Sequence, residues 1–321
     1  MSKRPPIQIG AQEDSLREAF GKALVKFAPN YKNVVVLDAD VAGGTGTHHF
    51  RKAFPDRYYQ FGIAEQNMMA VAGGLAATGL VPFVTTFAVF MLRAIEQARL
   101  SIAYPRMNVK LVASHPGLDV GPDGASAQCL EDLAAFRAIP EMVVLSPCDP
   151  LEIELATKAI IEYEGPVYMR SGRSPSINVL DENYSFEMGK GKILKDGNDV
   201  TIIGCGVTTA RALKASDELE KEGISARVVN MSTLKPIDTN MIIQCAEETK
   251  CIVTAEDHNI HGGLGSAVAE AVVQNCHVPM EIVGVKDTFG ESGEPDELAV
   301  KYGIDSNGII SAVKKLLDRK Q

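Results

Sequence analysis

The chain has 321 residues, 45% of them apolar and 23% charged, with a formal net charge of -9. That length allows two domains of about 100 to 200 residues, each with its own core, and the acidic balance argues against a nucleic acid partner, whose phosphates reward surplus lysine and arginine. The opening MSKRPPIQIG lacks the apolar centre of a signal peptide, and no uncharged apolar run reaches the ~18 residues of a membrane span, so a cytoplasmic chain without membrane contact is expected.

From the amino end, Ser15-x-x-Glu18 has the form of a capping box. It opens an amphipathic helix with Leu16, Phe20, Leu24 and Phe27 on one face. Short β-branched runs predict strands at 33–37, 81–85, 109–113, 142–146 and 166–170, separated by helix-length segments at roughly 30-residue spacing, the pattern of βαβ units in a parallel sheet. Phe87, Phe90, Met91, Ala94, Ala98 and Ile102 share one stripe and predict a helix over 87–102. Residues 174–197 turn polar and irregular, which marks a boundary.

The expected organisation is therefore a domain at 1–175, a linker at 176–195 and a second domain at 196–321. The second domain carries predicted strands at 200–204, 225–230, 250–256 and 280–285, with helices at 207–222, 238–248, 262–275 and 306–318. The fold class is α/β, two doubly wound domains with the second smaller. The six cysteines form no CxxC pair and are expected to be reduced thiols.

In open parallel sheets ligands bind beyond the carboxyl ends of the strands. Here those ends carry Asp38-Ala39-Asp40 before "GGTGTHH", Thr85-Thr86-Phe87, and Ser114-His115 before "GLDVGPDGASAQ". Any one such loop is ordinary, because loops are polar. Glu65 is less ordinary: Met68 to Ala77 contain no polar side chain, so its helix has no face for water and is expected to be buried. A buried carboxylate must be paired or protonated, and it can exchange a proton with a bound heterocycle. Equally, an acid in a first helical turn suits the helix dipole at ~0.3–1 kcal/mol and needs no other role. The two readings weigh evenly.

Arg17 sits in a first helical turn, where a solvated surface arginine is the plainer reading and an anion held with the helix amino end the sharper one. Arg170 and Arg173 close a predicted strand and suit either a phosphate or an acidic neighbour. Three look-alikes are set aside. "GCGVTTA" lacks the third glycine of a dinucleotide fingerprint, His258 and His261 have zinc-like spacing without an evident third ligand, and His48-His49 precedes a basic loop expected to be solvated.

Taken together, "VVVLDADVAGGTGT", "FPDRYYQFGIAEQNMMAVAGGLAATG", "PFVTTFAVF", "GPDGAS" and "EDHNIHGGLGSAV" resemble, in order and spacing over nearly the whole chain, the transketolase family, specifically the carboxyl-terminal subunit of split transketolases. The resemblance implies a pyrimidine-binding domain followed by a transketolase carboxyl-terminal domain. It also implies thiamine diphosphate bound across a subunit interface and transfer of a two-carbon ketol unit from a ketose to an aldose. It places Glu65 on the glutamate that hydrogen-bonds the cofactor's aminopyrimidine ring, Phe87 and Phe90 on aromatics packed against that ring, and Asp40 on an aspartate near the cofactor.

The same resemblance implies sugar phosphate contacts for Arg17, His115 and Arg173, with Arg170 a rival for Arg173, and contacts to substrate hydroxyls for Asp123. Two departures stand out. The family's histidine near the donor's reacting carbons is here Ala127, and its phosphate-contacting serine is displaced by Gly44 or Thr45. No GDG followed some 25 to 30 residues later by Asn is present, so the resemblance implies an amino-terminal partner subunit that carries that motif and binds most of the Mg2+, in an α2β2 assembly around a homodimeric core. A β subunit of a 2-oxoacid dehydrogenase E1 component and a non-catalytic stabilising subunit are the alternatives.

Overall fold

Runs rich in valine, isoleucine and leucine form strands buried on both faces, as parallel sheets require. A computed structural model describes residues 10–320, so the amino-terminal stretch examined for a targeting signal lies, apart from Gly10, outside the described residues. Numbered in chain order, the strands are β1 (Gln12–Ser15), β2 (Val34–Asp38), β3 (Tyr58–Gln60), β4 (Val81–Phe87), β5 (Lys110–Ser114), β6 (Val143–Leu145), β7 (Val167–Ser171), β8 (Pro175–Ile177), β9 (Lys192–Lys195), β10 (Val200–Gly204), β11 (Ala226–Asn230), β12 (Thr233–Lys235), β13 (Ile252–Asn259) and β14 (Met280–Val285). Every strand expected from sequence is present, as are the helices Thr208–Lys221, Thr239–Thr249, Leu264–Asn275 and Ser306–Lys320.

A seven-stranded sheet runs β12-β6-β7-β5-β4-β2-β3, and a five-stranded sheet runs β14-β13-β10-β11-β9. Within these two sheets all pairs are parallel except those made by the edge strands β12 and β9, and β1 and β8 form a separate antiparallel pair. The register places Phe87 beside Ser114 and Ser114 beside Ser171, so β4, β5 and β7 finish level, while Asp38 lies beside Thr85 and β2 ends two residues earlier. From β2 the sheet grows toward β3 on one side and toward β4 and β5 on the other, and that reversal opens a crevice at the carboxyl ends.

Several local expectations are corrected. Ser15 makes no side-chain cap. It belongs to β1, and Glu18 pairs instead with His49, whose Nε2 lies 2.8 Å from Oε2. The basic loop expected after His48-His49 begins as a helix, His48–Ala53. The helix expected over 87–102 is broken: β4 runs on through Phe87, Ala88–Leu92 and Ile95–Gln97 are separate turns, and Ala98–Ala103 is π-helical. Met91, Ala94, Ala98 and Ile102 are still buried, whereas Phe87 and Phe90 leave the stripe for the crevice.

The helix Glu65–Ala77 is not buried on all sides. Met68, Met69, Ala72 and Gly73 pack inward, while Gln66, Asn67, Ala70, Gly74 and Ala77 face solvent. Gly73 permits the close approach of the π-helical turn, since a Cβ there would lie 2.5 Å from the Ser101 carbonyl oxygen. The two sheets also share a core: Leu111, Val144 and Tyr168 belong to one apolar cluster with Ile203, Val229 and Ile252. β12, from the second half, completes the first sheet by pairing with β6. Among the described residues, no helix is long and apolar enough to cross a membrane.

Candidate active site

Two of the non-glycine residues with positive φ, Asp40 at 65° and His115 at 59°, stand just past β2 and β5 at the mouth of the crevice. Such backbone is strained and persists where its surroundings hold it. Gln60 holds the first: its Oε1 accepts from the Asp40 and Gly62 amides at 2.9 Å each, and its Nε2 donates to Asp38 Oδ1 at 3.1 Å. One side chain thus ties the end of β2 to the turn that leads into Glu65. Asp38 is fully buried, with Oδ2 lacking a hydrogen-bond partner, and burial pushes its carboxyl above the usual range.

Glu65 occupies the first turn of its helix and is 3% exposed. Its Oε2 is buried without a hydrogen-bond donor, and the exposed Arg93 guanidinium stands 3.9 Å away, beyond hydrogen-bond range. A buried acceptor left unpaired costs ~1–3 kcal/mol. The helix therefore presents a buried carboxylate oxygen that, among the described residues, has a loose ion pair with Arg93 and no hydrogen-bond donor.

Next to β4, the Phe87 ring stacks on Phe90 at 5.4 Å between centroids and on His115 at 3.7 Å. Phe90 is 36% exposed, which leaves an aromatic surface open at the crevice. Gly44 makes room for this stack, because a Cβ there would lie 2.4 Å from the Phe87 ring. The serine of the family pattern would collide with that ring.

A cationic cradle adjoins the aromatic stack. Arg17 donates through a terminal nitrogen to the Gly44 carbonyl at 3.3 Å, and its buried Nε has no partner. Arg173 lies 3.7 Å from Asp123, and Asp123 lies 4.0 Å from His115 Nε2. Burial lowers the Arg17 pKa, and the neighbouring Arg173 lowers it further. Burial and the two arginines hold His115 down to about 3, so its imidazole is neutral near pH 7; its Nδ1 lies 2.9 Å from Ser114 Oγ. The two guanidinium groups, offset in part by Glu18 and Asp123, form a seat for an anion.

The remaining sequence candidates fall elsewhere. Thr45 is buried, and its hydroxyl is engaged by the Val41 and Ala42 carbonyls and by Thr47, so it offers nothing to a substrate. Arg170 meets an acidic neighbour, one of its two expected roles. It is 5% exposed and grips Asp132 through Nε at 2.8 Å and through a second nitrogen, and it donates to the Asp257 carbonyl at 3.0 Å. Burial alone would lower its pKa, but Asp132 more than reverses this and holds the guanidinium charged. Arg173, not Arg170, faces the cradle. In the sequence Asp38 is only one of several polar strand ends and Gln60 carries no signal, because their value lies in hydrogen bonds across the β2 to β3 crossover, which no local pattern displays.

The family models described as "Transketolase, pyrimidine binding domain" and "Transketolase, C-terminal domain" match residues 12–176 and 189–309 respectively. The 6-deoxy-6-sulfo-D-fructose transketolase subunit SqwH of Clostridium sp. (strain MSTE9) is 39% identical over 316 residues, covering 98% of this chain and 98% of that one. Transketolase of Rattus norvegicus is 38% identical over 319 residues, covering 98% of this chain and 51% of its own. Among solved structures, one described as "Split gene transketolase, inactive beta4 tetramer" superposes with a TM-score of 0.90 at 48% identity, covering 96% of this chain and all of that one.

Proposed function

The chain belongs to the transketolase family as a subunit of the split type, and on that footing we propose that it supplies the pyrimidine-side half of a thiamine diphosphate site that an amino-terminal partner subunit completes. The observation that carries this reading is the buried Oε2 of Glu65, which has no hydrogen-bond donor among the described residues. The residues present fit the ring end of the cofactor: one unpaired carboxylate oxygen offers a polar anchor, and the stacked Phe87 and Phe90 offer an aromatic wall. When bound, thiamine diphosphate supplies the nucleophilic carbon that cleaves a ketose and carries its two-carbon unit to an aldehyde.

In this reading Glu65 holds a proton at the aminopyrimidine ring and sets its tautomer, the role of a general acid in a site shielded from water. Phe87 and Phe90 would pack against that ring, and Asp40, whose amide donates to Gln60, would hold a place at the same end of the site. Arg17 and Arg173 bind the charged end of the sugar, neutral His115 offers its ring N–H, and Asp123 accepts from sugar hydroxyls. Mg2+ and the diphosphate belong mainly to the partner's GDG…N motif. The exposed apolar strip of the Glu65–Ala77 helix, with Leu100 at 52% and Tyr104 at 82% exposure on the neighbouring segment, supplies the contact surface for a second chain in an α2β2 assembly.

An arginine pair receives a sulfonate as readily as a phosphate, and one relative is named for a sulfonated ketose. The substrate class is therefore a ketose with an anionic terminus. The test mixes this chain with its amino-terminal partner, thiamine diphosphate and Mg2+, then compares ketol transfer from phosphorylated, sulfonated and neutral ketoses with decarboxylation of 2-oxoacids. Ketol transfer that needs both chains and favours anionic donors is expected. Decarboxylation alone, or transfer by this chain without a partner, would overturn the reading.

A further inference from the structure

Asp257 lies on β13, in the carboxyl-terminal half, and is 3% exposed. Its carboxylate nevertheless reaches into the other half of the molecule, where Oδ1 accepts from the Leu118 amide at 2.8 Å and Oδ2 from the Asp119 amide at 3.0 Å. Those consecutive amides lie in the loop between His115 and Asp123. A two-oxygen grip of this kind fixes the loop's orientation as well as its distance. Gly117, at φ 72°, is the space the grip requires, because a Cβ there would lie 2.4 Å from the Asp257 carboxylate.

Asp119 passes the grip onward. Its Oδ2 accepts from the Ser174 amide at 3.1 Å, and its carbonyl accepts from the Ser174 hydroxyl at 3.0 Å, directly beside Arg173. In the same segment the Gly172 carbonyl accepts from the Arg17 amide at 3.2 Å. The backbone that carries Arg17 and Arg173 therefore hangs from one network whose far end is Asp257, and His115 and Asp123 flank the gripped segment along the chain. That end is itself moored, since Arg170 donates to the Asp257 carbonyl and holds Asp132. Arg17 and Arg173 repel each other, so without an external hold they would relax apart whenever no anion is bound.

We propose that Asp257, acting through Asp119, is a positioning residue by which the carboxyl-terminal half sets the geometry of the anion cradle, so that recognition of the donor's charged end depends on a domain that holds none of the cradle's side chains. The inference rests on the transketolase reading of the site. A preorganised cradle binds its anion without first paying the repulsion between the arginines. Glu65, whose near neighbour is Arg93, takes no part in these contacts, and its chemistry does not depend on the grip.

The test uses the complete complex with its partner subunit and two donors, fructose 6-phosphate and the neutral ketose erythrulose. In Asp257→Asn the KM for fructose 6-phosphate is expected to rise about tenfold, with kcat within about threefold and the erythrulose KM within about twofold, the signature of lost binding rather than lost catalysis. An equal rise for both donors, or no rise, overturns the proposal. Amide hydrogen exchange supplies a readout independent of turnover: Leu118 and Asp119 are expected to exchange about tenfold faster while β10 is unchanged, and unaltered exchange overturns the grip.

Should Asp257→Asn fail to fold, Asp119→Ala carries the same split in KM, with faster exchange at Ser174 and protection retained at Leu118. If the unmodified complex shows no preference for the phosphorylated donor, the anion-cradle reading fails, and hydrogen exchange still decides the grip on its own.

Discussion

Replacing Glu65 with leucine sets stability against function. The substitution removes a buried acceptor without a partner, worth ~1–3 kcal/mol, and gives up a favourable helix-dipole contact of ~0.3–1 kcal/mol. Leucine and glutamate have similar helix propensities, so backbone preference does not intervene. The isolated chain should therefore gain about 1–2 kcal/mol. At ~2.1 cal/mol/K per residue, a chain of 321 residues unfolds with an entropy of about 0.7 kcal/mol/K, which turns that gain into a Tm higher by about 2–3 °C. Calorimetry at fixed protein concentration measures it.

In the complex with the partner subunit, the same substitution should cost about 100- to 10,000-fold in ketol transfer, the range for loss of a positioned acid–base group. Glu65→Gln keeps the shape and should lose comparable activity. A Glu65→Leu chain that is less stable by more than about 1 kcal/mol and still transfers ketol units would refute the reasoning, because the carboxylate would then be a structural group.

Arg173→Ala should raise the KM for anionic donors by about tenfold or more without loss of fold, whereas Asp132→Ala should cost about 3–5 kcal/mol by leaving the buried Arg170 charge unpaired, as chemical denaturation would read. Ala127→His should change the ranking of donor ketoses in the complex; an unchanged ranking would separate position 127 from donor choice. His115 has a folded-state pKa held down to about 3 from 6.5, so the stability tied to its neutral form is complete above about pH 6.5 and is lost as pH falls toward 3. His115→Gln should flatten the acid side of the stability profile over that window, and saturating phosphate, which favours the protonated ring, should do the same.

Much of this molecule was legible in its residues. β2, β4, β5, β7 and β10 were legible because strands buried on both faces are written as continuous apolar runs. Glu65 stood out because a lone acid heading an apolar helix breaks the local pattern. The order of several motifs then pointed to the family, where each motif alone was ambiguous.

Other features were decided only by tertiary structure. Burial patterns report that a residue is inside, not which distant group it meets there. Arg170 and Arg173 are three positions apart and look equivalent, yet one meets Asp132 across 38 residues of chain and the other does not. The solvent-facing side of Glu65–Ala77 was invisible for a related reason, since the small residues Ala70, Gly74 and Ala77 on it read like core positions. Asp257 sat within a stretch that resembled a metal motif, and its partners at Leu118 and Asp119 lie 139 and 138 residues away. Periodicity shows which way a side chain points along its own element. The charge or amide that waits there depends on how the two sheets close on one another, and that is settled only when the whole chain has folded.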